Sequence, residues 1–239
     1  MKIHLCIGRR LHFRYNKLME NEKKTNGRKT IFDRAEGEIV EKKSRFIAAL
    51  AHVENEEEAE QFLAEQKKKH YSARHHCSAF IIGNEPEILR SNDDGEPGGS
   101  AGRPMLSVLQ GEELHDTIAV VTRYFGGTLL GVGGLIRAYS GAVKAALENA
   151  TYRIVSEGIP VTVQADYNDD GKLKYMFRQQ EILIMDTGYG ADVSTKIIIS
   201  PEEKDSIIKK ITDLTAGRAV ISVGDTIRYS LIDGEIIIE

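Results

Sequence analysis

The apolar and polar residues show two periodicities along the chain, one typical of strands and one typical of helices. Together they predict an α+β protein. Alternation with a period of two predicts a strand at residues 73–83, with a short partner strand at residues 86–90. Apolar and β-branched residues predict a buried strand at residues 117–123 and, around a polar centre, a strand or a bent hairpin strand at residues 37–53. A helical period predicts helices at residues 56–70, 104–109 and 134–150. Asn55 is the predicted N-cap of the first helix, because its side chain can accept a hydrogen bond from a free backbone N–H. These elements make up the first predicted domain, residues 29–156.

The pattern restarts after residue 156 with a second set of elements. Strands are predicted at residues 159–167, 182–186, 193–200 and 220–230, and helices at residues 170–180 and 201–216. The order strand-helix-strand-strand-helix-strand is that of a ferredoxin-like unit, so residues 157–239 are predicted to form a second domain. Residues 1–28 carry eight Lys and Arg against two Asp and Glu, and we expect them to be a basic tail, disordered or a mis-annotated start.

The composition is that of a soluble globular protein. Its net charge, cysteine spacing and lack of long apolar runs restrict the kinds of partner that we expect. A net charge of -4 excludes a protein coated in positive charge, so any site for an anion must be local. Cys6 and Cys77 lie far apart without CxxC spacing, which argues for a reducing cytoplasm and against a disulfide framework or a zinc knuckle. No apolar run approaches the roughly 20 residues of a membrane helix, so we expect no membrane partner.

Residues 91–139 hold the strongest candidate site, because glycine-rich loops and several arginines surround one apolar strand. Glycines at a helix start can expose backbone N–H groups to an anion, and arginines supply charge. Alternatively, the glycines serve tight packing and the arginines pair with an acidic turn, which consists of Asp93, Asp94 and Glu96. The candidate nucleic-acid or anion-binding residues are Arg74, His76, Arg103, Arg123, Tyr124, Gly126, Gly127, Gly131, Gly133, Gly134 and Arg137.

Other motifs lack the context that their chemistry needs. Residues 98–102 match the spacing of a serine nucleophile elbow, but no apolar strand precedes the serine. The glycine loop is neither a Walker A loop nor a dinucleotide fingerprint, since no Gly-Lys-Ser/Thr follows and Ile136 stands in place of the last glycine. His75 and His76 fall on opposite faces of a strand, and the acidic turn has the composition of an ordinary turn as well as of Mg²⁺ ligands. We assign no catalytic residue, metal or cofactor.

Four motifs make the sequence resemble the IMPACT family of YigZ/YvyE-type proteins. They are KSRFIA at residues 43–48, ARHHC at residues 73–77, SNDDGEPGGSAGRP at residues 91–104 and VTRYFGGTLLGVGGLIRAY at residues 121–139. The likeness runs from about residue 37 to residue 239. Two positions depart from the family pattern. We expect Ser or Asp at position 92, where this sequence has Asn, and Ser at position 98, where it has Gly.

The resemblance implies an N-terminal domain with the fold shared by domain two of ribosomal small-subunit protein S five, GHMP kinases and domain IV of elongation factor G. It also implies a C-terminal domain similar to domain V of elongation factor G, in agreement with the βαββαβ order. Eukaryotic IMPACT regulates translation through a partner in the eIF-two kinase pathway, so a cytoplasmic role in translation is implied.

Three hypotheses follow for the function. The first is binding of RNA or the ribosome through the candidate arginines, extended by Lys42, Lys43 and Arg45. The second is binding of a protein partner in the translation machinery without direct RNA contact. The third is a phosphate-ligand enzyme of GHMP-like fold, for which no general base stands out.

Overall fold

The computed structural model describes residues 27–83, 86–232 and 235–239. Contacts between residues divide the chain into two compact units, an N-terminal unit of Lys29–Arg153 and a C-terminal unit beginning at Ile154. This division lies a few residues before the predicted boundary, and a strand that starts at Tyr152 runs through both positions. Most of the predicted basic tail, residues 1–26, lies outside the described residues.

One antiparallel sheet forms the base of the N-terminal unit. After a short strand β1 (Arg28–Ile31), its strands are β2 (Ala35–Glu41), β3 (Ser44–His52), β4 (His75–Ile82), β5 (Ile88–Asn92) and β6 (Thr117–Tyr124). They lie in the order β2-β3-β6-β4-β5. The segment at residues 37–53, predicted as a strand or a bent hairpin strand, is a hairpin, because Lys42 and Lys43 adopt φ of 46° and 67° and reverse the chain between β2 and β3.

Helices cover both faces of this sheet. They are α1 (Glu56–Lys69), α2 (Gly102–Gly111) and α3 (Val132–Leu147). Phe62 of α1 packs with Val120 on one face, whereas Tyr139 of α3 packs with Cys77 and Val121 on the other. Cys77, Ala79 and Ile81 of β4 lie in the same core as Tyr139, whereas Phe80 and Ile82 pack with the core of Phe62, so the predicted alternation of β4 is confirmed. Asn55 caps α1 as predicted, since its Oδ1 accepts from the backbone N–H of Glu58 at 2.9 Å.

The C-terminal unit has the predicted ferredoxin-like order. Its elements are β7 (Tyr152–Ala165), α4 (Tyr167–Gln179), β8 (Leu183–Tyr189), β9 (Val193–Ile199), α5 (Lys204–Leu214), β10 (Val220–Val223), β11 (Ile227–Ile232) and β12 (Glu235–Ile238). The sheet order β10-β7-β9-β8, with antiparallel neighbours, is that of a βαββαβ unit. Buried Phe177 of α4 and Ile211 of α5 pack with Val161 beneath one face.

The strand predicted at residues 220–230 is broken in two, which corrects the sequence pattern. β10 pairs with the second half of β7, and β11 pairs with its first half. Between them Gly224 donates its N–H to the carbonyl of Pro160 at 2.9 Å. Pro160 has no N–H to return, so the ladder is interrupted at this point. No described helix is long and apolar enough to cross a membrane.

Candidate nucleic-acid interface

One end of the N-terminal sheet collects the loops that contain the candidate residues. The register places Arg45 opposite Tyr124 and His75 opposite Arg123, so the β2–β3 turn, the start of β4 and the end of β6 lie together. β5 ends beside them at Asn92. We call this region, which consists of residues 42–45, 70–76, 92–103 and 123–137, the glycine-loop edge.

Gly126 is required by packing at this edge. A Cβ atom at Gly126 would lie 2.1 Å from the carbonyl carbon of Lys43, which is impossibly close. The backbone N–H of Gly126 donates to Oγ of Ser44 at 3.1 Å. The loop after β6 is thereby fixed to the β2–β3 turn, where Lys42 and Lys43 are exposed.

The remaining glycines shape the entry into α3. Gly127 and Gly131 have φ of +85° and +73°, a region that side chains rarely adopt, and Gly131 is the N-cap of α3. A Cβ at Gly134 would lie 2.9 Å from Cβ of Leu130, whereas at Gly133 it would lie 3.9 Å from Nη1 of Arg137. The guanidinium of Arg137 therefore lies back over the first turn of α3, as helix geometry favours.

Arg123 is buried, so it is not one of the cations presented at the surface. Its Nη1 donates to Oε1 of Glu96 at 2.6 Å, and the side chains of this pair are only 7% and 3% exposed. The hydroxyl of Tyr139 donates to the same carboxylate oxygen at 2.7 Å. This geometry corrects the expectation that Arg123 contacts phosphate. Arg123 pairs instead with Glu96 of the acidic turn, as in the alternative prediction. Alternation in β6 was the available signal, because it puts Arg123 on the face of buried Val121.

Asp93 organises the loop that leads into α2. Its Oδ1 accepts from the backbone N–H groups of Ala101 and Gly102 at 3.0 and 2.8 Å, and its Oδ2 accepts from Gly99 at 2.7 Å. Burial would raise the pKa of this carboxyl, but the three N–H groups and the positive charge of Arg103 together hold the pKa below its usual value. Asp93 therefore fixes the loop from within.

A second set of hydrogen bonds fixes the start of β4. His76 is buried, its backbone N–H donates to Oδ2 of Asp94 at 2.6 Å, and its Nε2 donates to the carbonyl of His70 at 3.2 Å. His70 Nδ1 lies 3.1 Å from the hydroxyl of half-buried Tyr124. Burial lowers the pKa of His70 and of His76. The predicted residues His76 and Tyr124 thus lie at the edge but are engaged within it.

Three of the predicted arginines remain available at the surface. Arg74, Arg103 and Arg137 are exposed, and the described part of the chain offers none of them an ion-pair partner. Arg45, in contrast, donates from Nε and Nη2 to the two carboxylate oxygens of Glu38 at 2.7 and 2.9 Å. The structure therefore separates available arginines from paired ones.

Two potential nucleophiles at this edge are enclosed. Ser100 is fully buried, which is incompatible with an exposed nucleophile elbow. Cys77 is also fully buried, its Sγ donates to the carbonyl of Asp93 at 3.0 Å, and burial raises its pKa to about 12. Both residues are part of the core that supports the edge.

Comparison with known proteins tests the family resemblance that the sequence motifs indicate. The Impact N-terminal domain family matches residues 42–147, and a domain of unknown function, DUF1949, matches residues 163–218. IMPACT family member YvyE of Bacillus subtilis is 41% identical over 202 residues, which cover 82% of this chain and 90% of that protein. The chain belongs to the IMPACT family.

Further family relatives agree with this assignment. IMPACT family member YigZ of Escherichia coli is 36% identical and covers 74% of this chain and 87% of YigZ. A crystal structure of a hypothetical protein is 32% identical, covers 83% of this chain and 98% of its own, and superposes with a TM-score of 0.54. The resemblance inferred from the four motifs is therefore confirmed, and so is the α+β fold class.

Proposed function

We propose that this IMPACT-family protein binds RNA, free or within the ribosome, through the glycine-loop edge, and that this contact serves the regulation of translation. The observation that carries the proposal is the set of exposed arginines without ion-pair partners in the described chain, Arg74, Arg103 and Arg137, around one edge. An exposed guanidinium that is not paired within the protein is free to bind a phosphate through two hydrogen bonds.

The charge of the surrounding surface supports an anionic partner. Helices α2 and α3 contain no Asp or Glu, and their charged residues are Arg103, Arg137 and Lys144; Glu112, directly after α2, lines a groove together with Arg103 and Lys144. Lys42 and Lys43 are exposed on the neighbouring turn. Because the whole chain carries a net charge of -4, these cations contrast with the acidic average of the chain.

The test is co-sedimentation with purified ribosomes, together with binding of a short RNA, over a series of salt concentrations. The variant is Arg103→Glu/Arg137→Glu. Its matched control is Arg178→Glu/Lys209→Glu, which makes the same charge change at exposed positions of α4 and α5.

We expect the logarithm of the wild-type affinity to fall linearly with the logarithm of salt concentration, because bound cations release counterions from the phosphates. The edge variant should lose more than about tenfold in affinity at low salt, whereas the control stays close to wild type. Binding that ignores salt, or equal losses in the two variants, would overturn the proposal.

A protein partner is the second candidate, and an apolar surface favours it. Leu129, Val132 and Ile136 are exposed on the loop and first turns of α3, and exposed apolar side chains that cluster often mark interaction sites. Such a partner would remain bound after nuclease treatment and would be lost in Leu129→Asp. If the Arg103→Glu/Arg137→Glu variant still retained this partner, the glycine-loop edge would be assigned to protein binding.

A further inference from the structure

We infer that the glycine-loop edge takes single-stranded rather than duplex RNA, with an unstacked base lying on the ring of Phe125. This inference rests on the proposed function and specifies the form of its ligand. The observation behind it is that Phe125 is 54% exposed at the end of β6, next to Gly126 and Gly127, which have no side chains to cover it.

Phe125 is held in place from within the protein. The guanidinium carbon of Arg123 lies 5.6 Å from the centre of the Phe125 ring and 5.3 Å from the centre of the Phe46 ring. Arg123 is itself fixed by its buried ion pair with Glu96, and Phe46 meets Tyr139 edge to face at 5.1 Å. An exposed ring supported by fixed groups loses little conformational freedom when a base stacks on it. Arg123 thus acts as a positioning residue for Phe125.

Phosphate contacts are available close to this ring. Phe125 precedes Gly126, which packs against the backbone of Lys43, and the side chains of Lys42 and Lys43 are exposed on that turn. Cations beside an aromatic ring are the combination with which single-stranded nucleic acids are bound, because the cations follow the backbone while the ring stacks on a base.

The cations alone would bind the phosphates of a duplex equally well. The exposed ring of Phe125 is therefore the feature that favours single-stranded RNA. In an RNA helix the bases stack on one another and their faces are closed to side chains, whereas unpaired bases can stack on aromatic rings. Stacking also tolerates any base, which predicts weak sequence preference.

The experiment compares one short RNA in single-stranded form with the duplex of the same sequence. Binding is measured for full-length wild type, Phe125→Ala, Phe125→Trp and Tyr175→Ala. Tyr175 is 64% exposed on α4, so Tyr175→Ala removes an exposed ring that lies outside the glycine-loop edge. The chain contains no Trp, so Phe125→Trp introduces a single fluorescent reporter at the site.

We expect Phe125→Ala to lose roughly 5- to 100-fold in affinity for the single strand and to bind the duplex as wild type does. Tyr175→Ala should bind like wild type, and the fluorescence of Phe125→Trp should be quenched by the single strand only. Unchanged affinity in folded Phe125→Ala, or equal wild-type affinity for single strand and duplex, would overturn the inference while leaving the proposed function intact. Absence of salt-sensitive RNA binding by wild type would overturn both.

Discussion

Glu96→Ala tests most sharply whether Arg123 is a structural residue. Removal of this carboxylate leaves a guanidinium buried without its partner, which costs about 3–5 kcal/mol. It also leaves the fully buried Tyr139 hydroxyl without its acceptor, which costs about 1–3 kcal/mol. Because both losses arise from one change and are not strictly additive, we expect the free energy of unfolding to fall by about 4–6 kcal/mol. That is a large part of the roughly 5–15 kcal/mol that stabilises a typical domain.

Urea unfolding followed by circular dichroism measures this loss, with Glu38→Ala as the matched control. Glu38 also pairs with an arginine, but the side chains of Arg45 and Glu38 are 52% and 39% exposed, and an exposed pair contributes only about 0–1 kcal/mol. If Glu96→Ala fails to fold, Glu96→Gln provides a measurable variant with the same shape. Replacing both buried partners, in Arg123→Met/Glu96→Leu, should recover most of the stability, since no unpaired charge remains. A loss in Glu96→Ala no larger than in Glu38→Ala would refute the burial of this pair.

Three further changes have defined expectations. Gly126→Ala should cost at least about 1–3 kcal/mol of stability, since its Cβ would meet backbone, whereas Gly98→Ala, with open space around it, should stay within about 0.5 kcal/mol in the same urea assay. Asn55→Ala should cost about 1 kcal/mol through loss of the cap, and an unchanged urea midpoint would argue against that cap. Burial lowers the pKa of His70 and His76, so the unfolded state binds more protons below about pH 6.5; stability should fall on acidification through that range, and urea midpoints that stay flat would contradict this.

The elements that sequence predicted well are those whose pattern is local. The helical spacing in α1 and α3 and the βαββαβ order of the C-terminal unit are carried by neighbouring residues, so one stretch of sequence suffices for each. The four-residue β1 is too short to show a period, and no pattern predicted it. The break between β10 and β11 depends on Pro160, which lies about 60 residues earlier in the chain and faces it only in the folded sheet.

The position of the candidate site could be predicted from the sequence. Which of its residues are structural and which are exposed to a ligand could not. Glycines, arginines and acidic residues cluster between residues 91 and 139, which indicated the edge. Alternation in β6 indicated that Arg123 faces the core, but its partner, Glu96, lies 27 positions away and meets it only in the folded protein. The exposed ring of Phe125 was missed for a related reason, because an aromatic residue that ends an apolar strand normally continues the core.

The most direct measurement of the interface is the salt dependence of RNA binding for single Arg→Gln variants. We expect Arg74→Gln, Arg103→Gln and Arg137→Gln each to reduce the slope of log affinity against log salt by about 0.7, the value for one phosphate contact to a single strand. Arg45→Gln removes the same charge from the same edge, but Arg45 is already paired with Glu38, so its slope should match wild type. Equal slopes in all four variants, or a slope reduced only in Arg45→Gln, would contradict the assignment of the available arginines as the RNA-binding groups.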